Sequence, residues 1–313
     1  MNKFLKNAFA FLAPPLVVAA VVAAVSMATV RATYLRKIAL PEDVRFVVIG
    51  DSEPACAIDP AAFTGMVNQA SAALTLDQAL YKARDLLDVS AGRDFAFVLA
   101  VSPRRMSMEL APMASGDYET RYAMLNYLHA TDGRRAIGEP VRIFRDRVVP
   151  DAFHQLTGYR FKKNSRKRGG MNMEVPWGGF TPCPGAHYLD DPAKAEAETA
   201  DYFEKLSAAY SGDPEFLRGA GLVGEIVDLV RASGRRVVLL TTPWHRSLRE
   251  RIPPETLGRF RQSMRRLAER HGTEWIDDLE LELSDECFLN QNHLNAMGAR
   301  VYSEDLARRM KVE

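Results

Sequence analysis

The chain has 313 residues, of which 47% are hydrophobic and 26% charged, and this is the composition of a folded globular protein rather than a disordered one. After a short N-terminal segment is set aside, about 270 residues remain, enough for one large α/β domain or two small ones. The formal net charge of +1 gives no support for nucleic-acid binding, and no nucleic-acid partner is expected.

The N-terminal segment, residues 1–31, predicts a membrane anchor. Residues 7–30 carry no charged side chain. As a helix they would be roughly 35 Å long, enough to cross a hydrocarbon core of about 30 Å. A cleaved signal peptide is the alternative, because Ser26-Met27-Ala28 places small residues at a suitable spacing. The length of the apolar run favours the uncleaved anchor, and positive charges on both sides leave its orientation open.

The first half of the remaining chain begins with a β-α-β pattern. The run RFVVIG at 45–50 predicts a buried strand, and DQALYKARDLLDV at 77–89 has the apolar spacing of a helix. A second buried strand is predicted at 94–103. The region from about 104 to 213 lacks a regular pattern, and its length indicates a functional insertion rather than a simple loop.

Regular patterns return in the second half, where glycines close two predicted helices. Gly234 and Gly272 each occupy the position of a left-handed C-cap. The elements are a helix at 215–234, a strand at 235–243, a helix at 253–272 and a strand at 273–278. Strands that alternate with helices predict an α/β domain over 32–313, with a parallel central sheet and helices on both faces.

Two polar turns at opposite ends of this domain carry the candidate chemistry. Ser52 follows the first strand in VIGDSEPACAID, and His293 precedes a final helix in NQNHLNAMGA. Functional groups of a parallel sheet gather at the carboxyl ends of its strands. An imidazole can take the proton of a serine hydroxyl and make it nucleophilic. Ser52 and His293 are therefore a candidate nucleophile and general base.

These two motifs resemble the first and last blocks of the SGNH (GDSL-like) hydrolases. The likeness is strongest to the membrane-anchored envelope branch, which includes proteins of D-alanyl transfer and alginate O-acetylation. It extends from about 45 to the C-terminus, apart from the central segment. The resemblance implies a three-layer α/β sandwich in which Ser52 attacks an acyl carbonyl and His293 serves as base.

The sequence departs from the family pattern at the third member of the triad. The family's aspartate, three residues before the histidine, falls on Asn290. An amide oxygen can orient the ring but cannot stabilise an imidazolium by its charge. Asp285 or Glu286 could supply the carboxylate instead, or the site could be a serine–histidine dyad.

The oxyanion block also departs from the pattern. The family's Gly-x-Asn-Asp block has no convincing counterpart. Asn68 and the backbone N–H of Ser71 are the candidates for oxyanion donors, in the stretch MVNQASAAL. Asp51 and His245 are expected near the site; for His245, a surface position on a loop is the more frequent situation.

The cysteines and the other histidines predict no cofactor. Cys56, Cys183 and Cys287 form neither a disulfide framework nor a metal spacing, and we expect three buried thiols. In an oxidising compartment, Cys56 with Cys287 would be the favoured pair. The histidines lack metal-ligand spacing, so no metal site is expected.

The expected function is that of a serine esterase or acyltransferase on acyl esters of cell-envelope polysaccharide. Its partner would be an acylated glycan, and the domain would lie on the periplasmic or extracytoplasmic side of a single membrane span. The alternative is a catalytically degenerate SGNH fold that binds glycan or scaffolds an envelope assembly. An inverted anchor with a cytoplasmic domain is a third possibility.

Overall fold

The computed structural model describes residues 38–72, 74–107, 179–183, 192–210 and 213–310, together with six single residues before 38. The side chains of 205–210 and 213–217 are not among the described ones. Most of the predicted anchor and of the central segment therefore lies outside the described residues. Within the described part, no helix has both the length and the apolar character needed to cross a membrane.

The chain divides into two compact units. One comprises 38–114 and 171–313, and all the elements below belong to it. The other comprises 1–37 and 115–170 and lies almost wholly outside the described residues.

The centre of the larger unit is a parallel five-stranded sheet. Its order is β2-β1-β3-β4-β5, and all neighbouring strands are parallel. The strands are β1 (Phe46–Ile49), β2 (Met66–Asn68), β3 (Ala96–Ala100), β4 (Val237–Thr241) and β5 (Glu274–Asp277). The chain therefore has an α/β fold. Four strands fall inside predicted ones, whereas the edge strand β2 was not predicted because it is only three residues long.

Helices connect and flank these strands. They are α1 (Ser52–Ala57), α2 (Leu76–Val89), α3 (Pro103–Ser107), α4 (Pro192–Tyr210), α5 (Asp213–Ala232), α6 (Arg246–Arg249), α7 (Pro254–His271) and α8 (Ala296–Arg309). The predicted helices at 77–89, 215–234 and 253–272 correspond to α2, α5 and α7. Gly272 ends α7 at φ 56°, in the left-handed conformation expected of a C-cap. The final helix expected after His293 is α8, whereas α1, α3, α4 and α6 were not predicted.

One layer of the core joins the sheet to the first and last helices. Val48, Val98 and Leu240, from three neighbouring strands, lie in one buried cluster with side chains of α1 and α8. Burying such side chains contributes roughly 1.5–3 kcal/mol each. This packing brings the beginning of the domain against its end. A two-stranded antiparallel hairpin, β6 (Phe288–Asn290) and β7 (His293–Leu294), immediately precedes α8.

Candidate active site

Ser52 lies where β1 ends and α1 begins. Gly50 makes this tight turn possible, because a Cβ at that position would meet Pro54 Cγ at 2.5 Å. Asp51 caps the helix, and its side chain accepts the backbone N–H of Glu53 at 3.0 Å. Ser52 is the first residue of α1 and is half-buried. The strand and the cap together fix the position of the hydroxyl at the edge of the sheet.

Asp51 is held from its other side by Arg105 of α3. The Arg105 Nε and Nη2 atoms both donate to Asp51 Oδ2, at 3.1 and 2.8 Å. Both side chains are largely buried, at 9% and 12% exposure. Helix α3 follows β3, the neighbour of β1, so the ion pair joins two adjacent strand ends.

The hairpin brings His293 to Ser52. The Nε2 atom of His293 lies 2.7 Å from Ser52 Oγ, within hydrogen-bond distance. The two residues are 241 positions apart in the chain. Close packing supports the hairpin, since a Cβ at Gly298 of α8 would meet the Cys287 carbonyl oxygen at 2.1 Å.

Asn290 sets the tautomer of His293. Its Oδ1 atom accepts the backbone N–H groups of Asn292 and His293, at 3.2 and 2.9 Å, so this atom is the oxygen of the amide. The same oxygen lies 2.9 Å from His293 Nδ1. Because the oxygen can only accept, Nδ1 carries the proton. Nε2 is then left with a lone pair directed at the Ser52 hydroxyl, which is the arrangement a general base needs.

The surroundings keep His293 neutral. Burial lowers the pKa of His293 to about 4, and the negative charge of Asp51 opposes this change in part. The positive charge of Arg104 lowers the pKa further. At neutral pH the imidazole is thus unprotonated and able to accept a proton. Neither Asp285 nor Glu286, the predicted alternative carboxylates, is among the charges that act on His293.

Arg104 brings a positive charge to the site that was not predicted. Its guanidinium carbon lies 4.4 Å from the centroid of the Tyr202 ring, in cation–π geometry, and the residue is half-buried. A positive charge here would favour negative charge that develops on a bound substrate. A single arginine in a short helix carries no local sequence signal, so only the fold reveals it.

Glu53, next to the candidate nucleophile, is the second feature that was not predicted. Its side chain is 2% exposed. Burial, and then the charge of Asp51, raise its pKa to about 7, whereas donors from Trp244 and Asn292 lower it. An acidic residue in the first turn of a helix is common on protein surfaces, so the sequence gives no sign that Glu53 is buried. Its burial depends on three other parts of the chain that pack around it.

The predicted oxyanion donors have other partners. The Asn68 side-chain nitrogen donates to the carbonyls of Pro54 and Ile58, at 3.0 and 2.8 Å. The backbone N–H of Ser71 donates to the Gly50 carbonyl at 2.9 Å. These bonds hold the β2 edge against β1 and α1. Both N–H groups of the Asn68 amide and the backbone N–H of Ser71 are therefore already donated within the fold. None of them is left to bind an oxyanion in the way that the sequence predicted.

His245 is buried, at 3% exposure, so the expected surface position is wrong. Its Nδ1 accepts the Ser247 backbone N–H at 3.2 Å and lies 2.8 Å from Ser247 Oγ. Its Nε2 lies 3.1 Å from Asp285 Oδ1. The backbone N–H of His245 donates to the Gln291 carbonyl in the His293 turn, at 2.9 Å. His245 therefore caps α6 and supports the turn that carries His293. The carboxylate of Asp285 contacts His245 and not His293.

All three cysteines are free and buried, in agreement with the expectation for buried thiols. The neighbour of Cys56 is Cys183, with the two sulfur atoms 3.4 Å apart. Cys287 contacts Ser284 Oγ instead, also at 3.4 Å. The pairing of Cys56 with Cys287 suggested by the sequence is thus replaced by Cys56 with Cys183. The contact with Cys183, and then burial, raise the pKa of the Cys56 thiol.

No protein-family model matches the chain, and no curated protein matches it either. The relation to the SGNH hydrolases therefore rests on the sequence motifs and stays a prediction. The site itself consists of Ser52, His293 and Asn290 in one hydrogen-bonded chain. Its surroundings are the buried Asp51–Arg105 pair, Arg104 and Glu53.

Proposed function

We propose that the chain is an SGNH-like serine esterase or acyltransferase that acts on acyl esters of cell-envelope polysaccharide. The observation that carries the proposal is the 2.7 Å contact between Ser52 Oγ and His293 Nε2. The Asn290 oxygen on the opposite ring nitrogen supports it, because it leaves Nε2 as the proton acceptor. The choice of envelope glycan follows from the resemblance of the two end motifs.

The reaction begins when Ser52 Oγ attacks the acyl carbonyl carbon while His293 Nε2 takes the hydroxyl proton. The C–O bond to the sugar then breaks, and His293 returns this proton to the departing sugar oxygen. The acyl group remains as an ester on Ser52. His293 next deprotonates water, which gives hydrolysis, or an acceptor hydroxyl, which gives transfer. In either case His293 returns the proton to Ser52.

Negative charge on the carbonyl oxygen needs donors during both steps. The backbone N–H of Ser52 is suited to this role, because the first N–H groups of a helix have no acceptor within it. The positive charge of Arg104 adds to the favourable field at the site. The proposal thus replaces Asn68 and Ser71 by Ser52 N–H and Arg104 as the stabilising groups.

The proposal includes the finer architecture and the location. The sheet would be the middle layer of a three-layer SGNH sandwich over 32–313. Residues 1–31 would anchor it as one membrane span, with the site on the periplasmic or extracytoplasmic side. A reporter fused to Glu313 tests this orientation, and a reporter signal from the cytoplasm would contradict it.

The test of the activity uses the full chain in detergent with a fluorophosphonate probe and p-nitrophenyl acetate. We expect labelling and ester hydrolysis in the wild type, and loss of both in Ser52→Ala and His293→Gln. Ser247→Ala is the matched control, because Ser247 also lies beside a histidine, His245. Labelling that survives Ser52→Ala, or that disappears in Ser247→Ala, would contradict the assignment of the nucleophile.

A glycan-binding or scaffold protein with a degenerate site is the second candidate. The observation that favours it is the engagement of Asn68 and Ser71 in the fold, which removes two expected oxyanion donors. Under this alternative, acetylated alginate or another acylated glycan binds to the full chain without labelling of Ser52 by the probe. Labelling that depends on both Ser52 and His293 decides in favour of the enzyme.

A further inference from the structure

Glu53 lies at the centre of a buried hydrogen-bond network behind the nucleophile. Its Oε2 atom accepts Trp244 Nε1–H at 2.9 Å and the Thr242 hydroxyl at 3.3 Å. Its Oε1 atom accepts the Tyr202 hydroxyl at 3.3 Å and the Asn292 amide at 3.1 Å. Four donors meet two oxygens, so the carboxylate has its acceptor capacity filled. Such a group is held in one place by four different contacts.

The partners of Glu53 come from distant parts of the chain. Tyr202 belongs to α4, and Thr242 and Trp244 follow β4. Asn292 lies between β6 and β7, next to the candidate base. Glu53 itself is the residue directly after Ser52 in the chain. Glu53 therefore connects the turn that carries the hydroxyl to the turn that carries the imidazole.

The connection continues to the imidazole through the backbone. The Asn292 side chain donates to Glu53, while its backbone N–H donates to Asn290 Oδ1 at 3.2 Å. That oxygen is the one that accepts from His293 Nδ1. A shift of Asn292 would thus move the group that orients the ring. Catalytic geometry is sensitive to such shifts, since a displacement of about 1 Å can lower a rate about 10²-fold.

We infer that Glu53 is a positioning residue, which holds the Ser52 and His293 turns in register through its hydrogen bond to Asn292. The inference rests on the proposed function for its catalytic consequence. Glu53 does not touch substrate, because it is almost completely buried behind Ser52. By holding Asn292, it helps to fix the orientation of the His293 ring, which a charged aspartate fixes in an ordinary serine–histidine–aspartate triad.

Reversal of one hydrogen bond tests this role. Asn292→Asp sets a second carboxylate against Glu53. At a pH above about 8, where Glu53 with its pKa of about 7 is charged, the repulsion should separate the two turns. In Glu53→Gln/Asn292→Asp, the new glutamine amide donates to the new aspartate, so the link is restored with its direction reversed. We expect Asn292→Asp to lower kcat for p-nitrophenyl acetate about 10²-fold with little change in KM. The kcat of the double variant should be at least about tenfold higher than that of Asn292→Asp.

Thr242→Val is the matched control for a purely structural effect. Valine is similar in size to threonine but lacks the hydroxyl that donates to Oε2, the other oxygen of the Glu53 carboxylate. The hydrogen bond between Glu53 and Asn292 stays intact. We expect Thr242→Val to lower Tm, because a buried hydrogen bond is lost, with a much smaller loss of kcat than in Asn292→Asp. Equal losses of kcat in the two variants, or no recovery in the double variant, would overturn the inference.

A second readout does not depend on catalysis. Nitrogen-15 NMR of histidine-labelled full-length protein reports which ring nitrogen of His293 carries the proton. We expect protonated Nδ1 in the wild type, a mixture of tautomers in Asn292→Asp, and the wild-type pattern again in the double variant. If the wild type shows no Ser52-dependent labelling, the esterase proposal fails by itself. An unchanged tautomer in Asn292→Asp would separately overturn the positioning role.

Discussion

The side-chain oxygen of Asn290 lies 2.9 Å from Nδ1 of His293, where an aspartate would face the ring with a full negative charge. The amide fixes the tautomer but offers no counter-charge to an imidazolium. Burial therefore determines the pKa of His293, which is lowered to about 4. The site has the geometry of a triad with a neutral third member.

Asn290→Asp should increase the activity. The carboxylate can accept the same three N–H groups, and an opposite charge at this distance raises the pKa of a histidine by about 1 to 3. We expect an increase in kcat of at least about tenfold for p-nitrophenyl acetate, because the imidazolium is stabilised as it forms. Steady-state kinetics of the two proteins measure the effect. Asn290→Ala is the control, and it should lower kcat because the ring loses its orienting acceptor.

The pH dependence of the wild-type reaction should extend unusually far into acid. In the proposed mechanism His293 acts as a base only when it is neutral, and its pKa of about 4 keeps it neutral well below pH 6. The acid limb of kcat/KM, which reports the free enzyme, should therefore be centred near pH 4. Rates measured between pH 3.5 and 8, with the ionic strength held constant, give the profile. A limb centred near the ordinary histidine pKa of about 6.5 would contradict this prediction.

The same profile should move to higher pH when Arg104 is replaced by glutamine. The positive charge of Arg104 lowers the pKa of His293, so its removal raises this pKa. Histidine NMR titration of the wild type and of Arg104→Gln measures the change directly. Arg104→Lys keeps the charge and should leave the titration near that of the wild type. A pKa that falls in Arg104→Gln would show that the charge acts elsewhere.

Glu53 should make the fold less stable as the pH rises. Its folded pKa of about 7 lies above its value of 4.5 as a free side chain, so the folded state holds more protons between these values. Stability therefore decreases from about pH 4.5 to 7 and is level above this range. Glu53→Gln lacks this titration. We expect Tm of the wild type, relative to Glu53→Gln, to fall as the pH is raised from 5 to 8, whereas a constant difference would refute the assignment.

Cys56 and Cys183 should form a disulfide under mild oxidation. Their sulfur atoms are 3.4 Å apart, and the contact with Cys56 lowers the pKa of Cys183, which makes Cys183 the thiol that reacts first. The bond forms when both thiols lose a proton and two electrons pass to an oxidant such as oxidised glutathione. Mass spectrometry of digested protein should identify the Cys56–Cys183 peptide pair. Cys183→Ser should abolish it, and Cys287→Ser should not. A dominant pair that contains Cys287 would be inconsistent with this arrangement.

Much of the fold could be predicted from local patterns. Continuous apolar runs marked β1, β3 and β4, and glycine marked the end of α7, because these signals depend on neighbours within a few residues. The edge strand β2 and the short helix α1 escaped prediction. Each is too short to show a period, and packing against the rest of the domain determines its conformation.

The sequence by itself determined four of the five sheet strands and the helices α2, α5, α7 and α8, and it singled out Ser52, His293 and Asn290. Only the tertiary structure decided the partners of the polar groups: Arg105 for Asp51, Asn292 for Glu53 and Cys183 for Cys56. It also assigned Asn68 to the fold rather than to an oxyanion. The physical reason is that strand and helix patterns arise from local periodicity. A buried polar group instead takes whichever donor or acceptor the packed chain brings within about 3 Å, however distant in sequence.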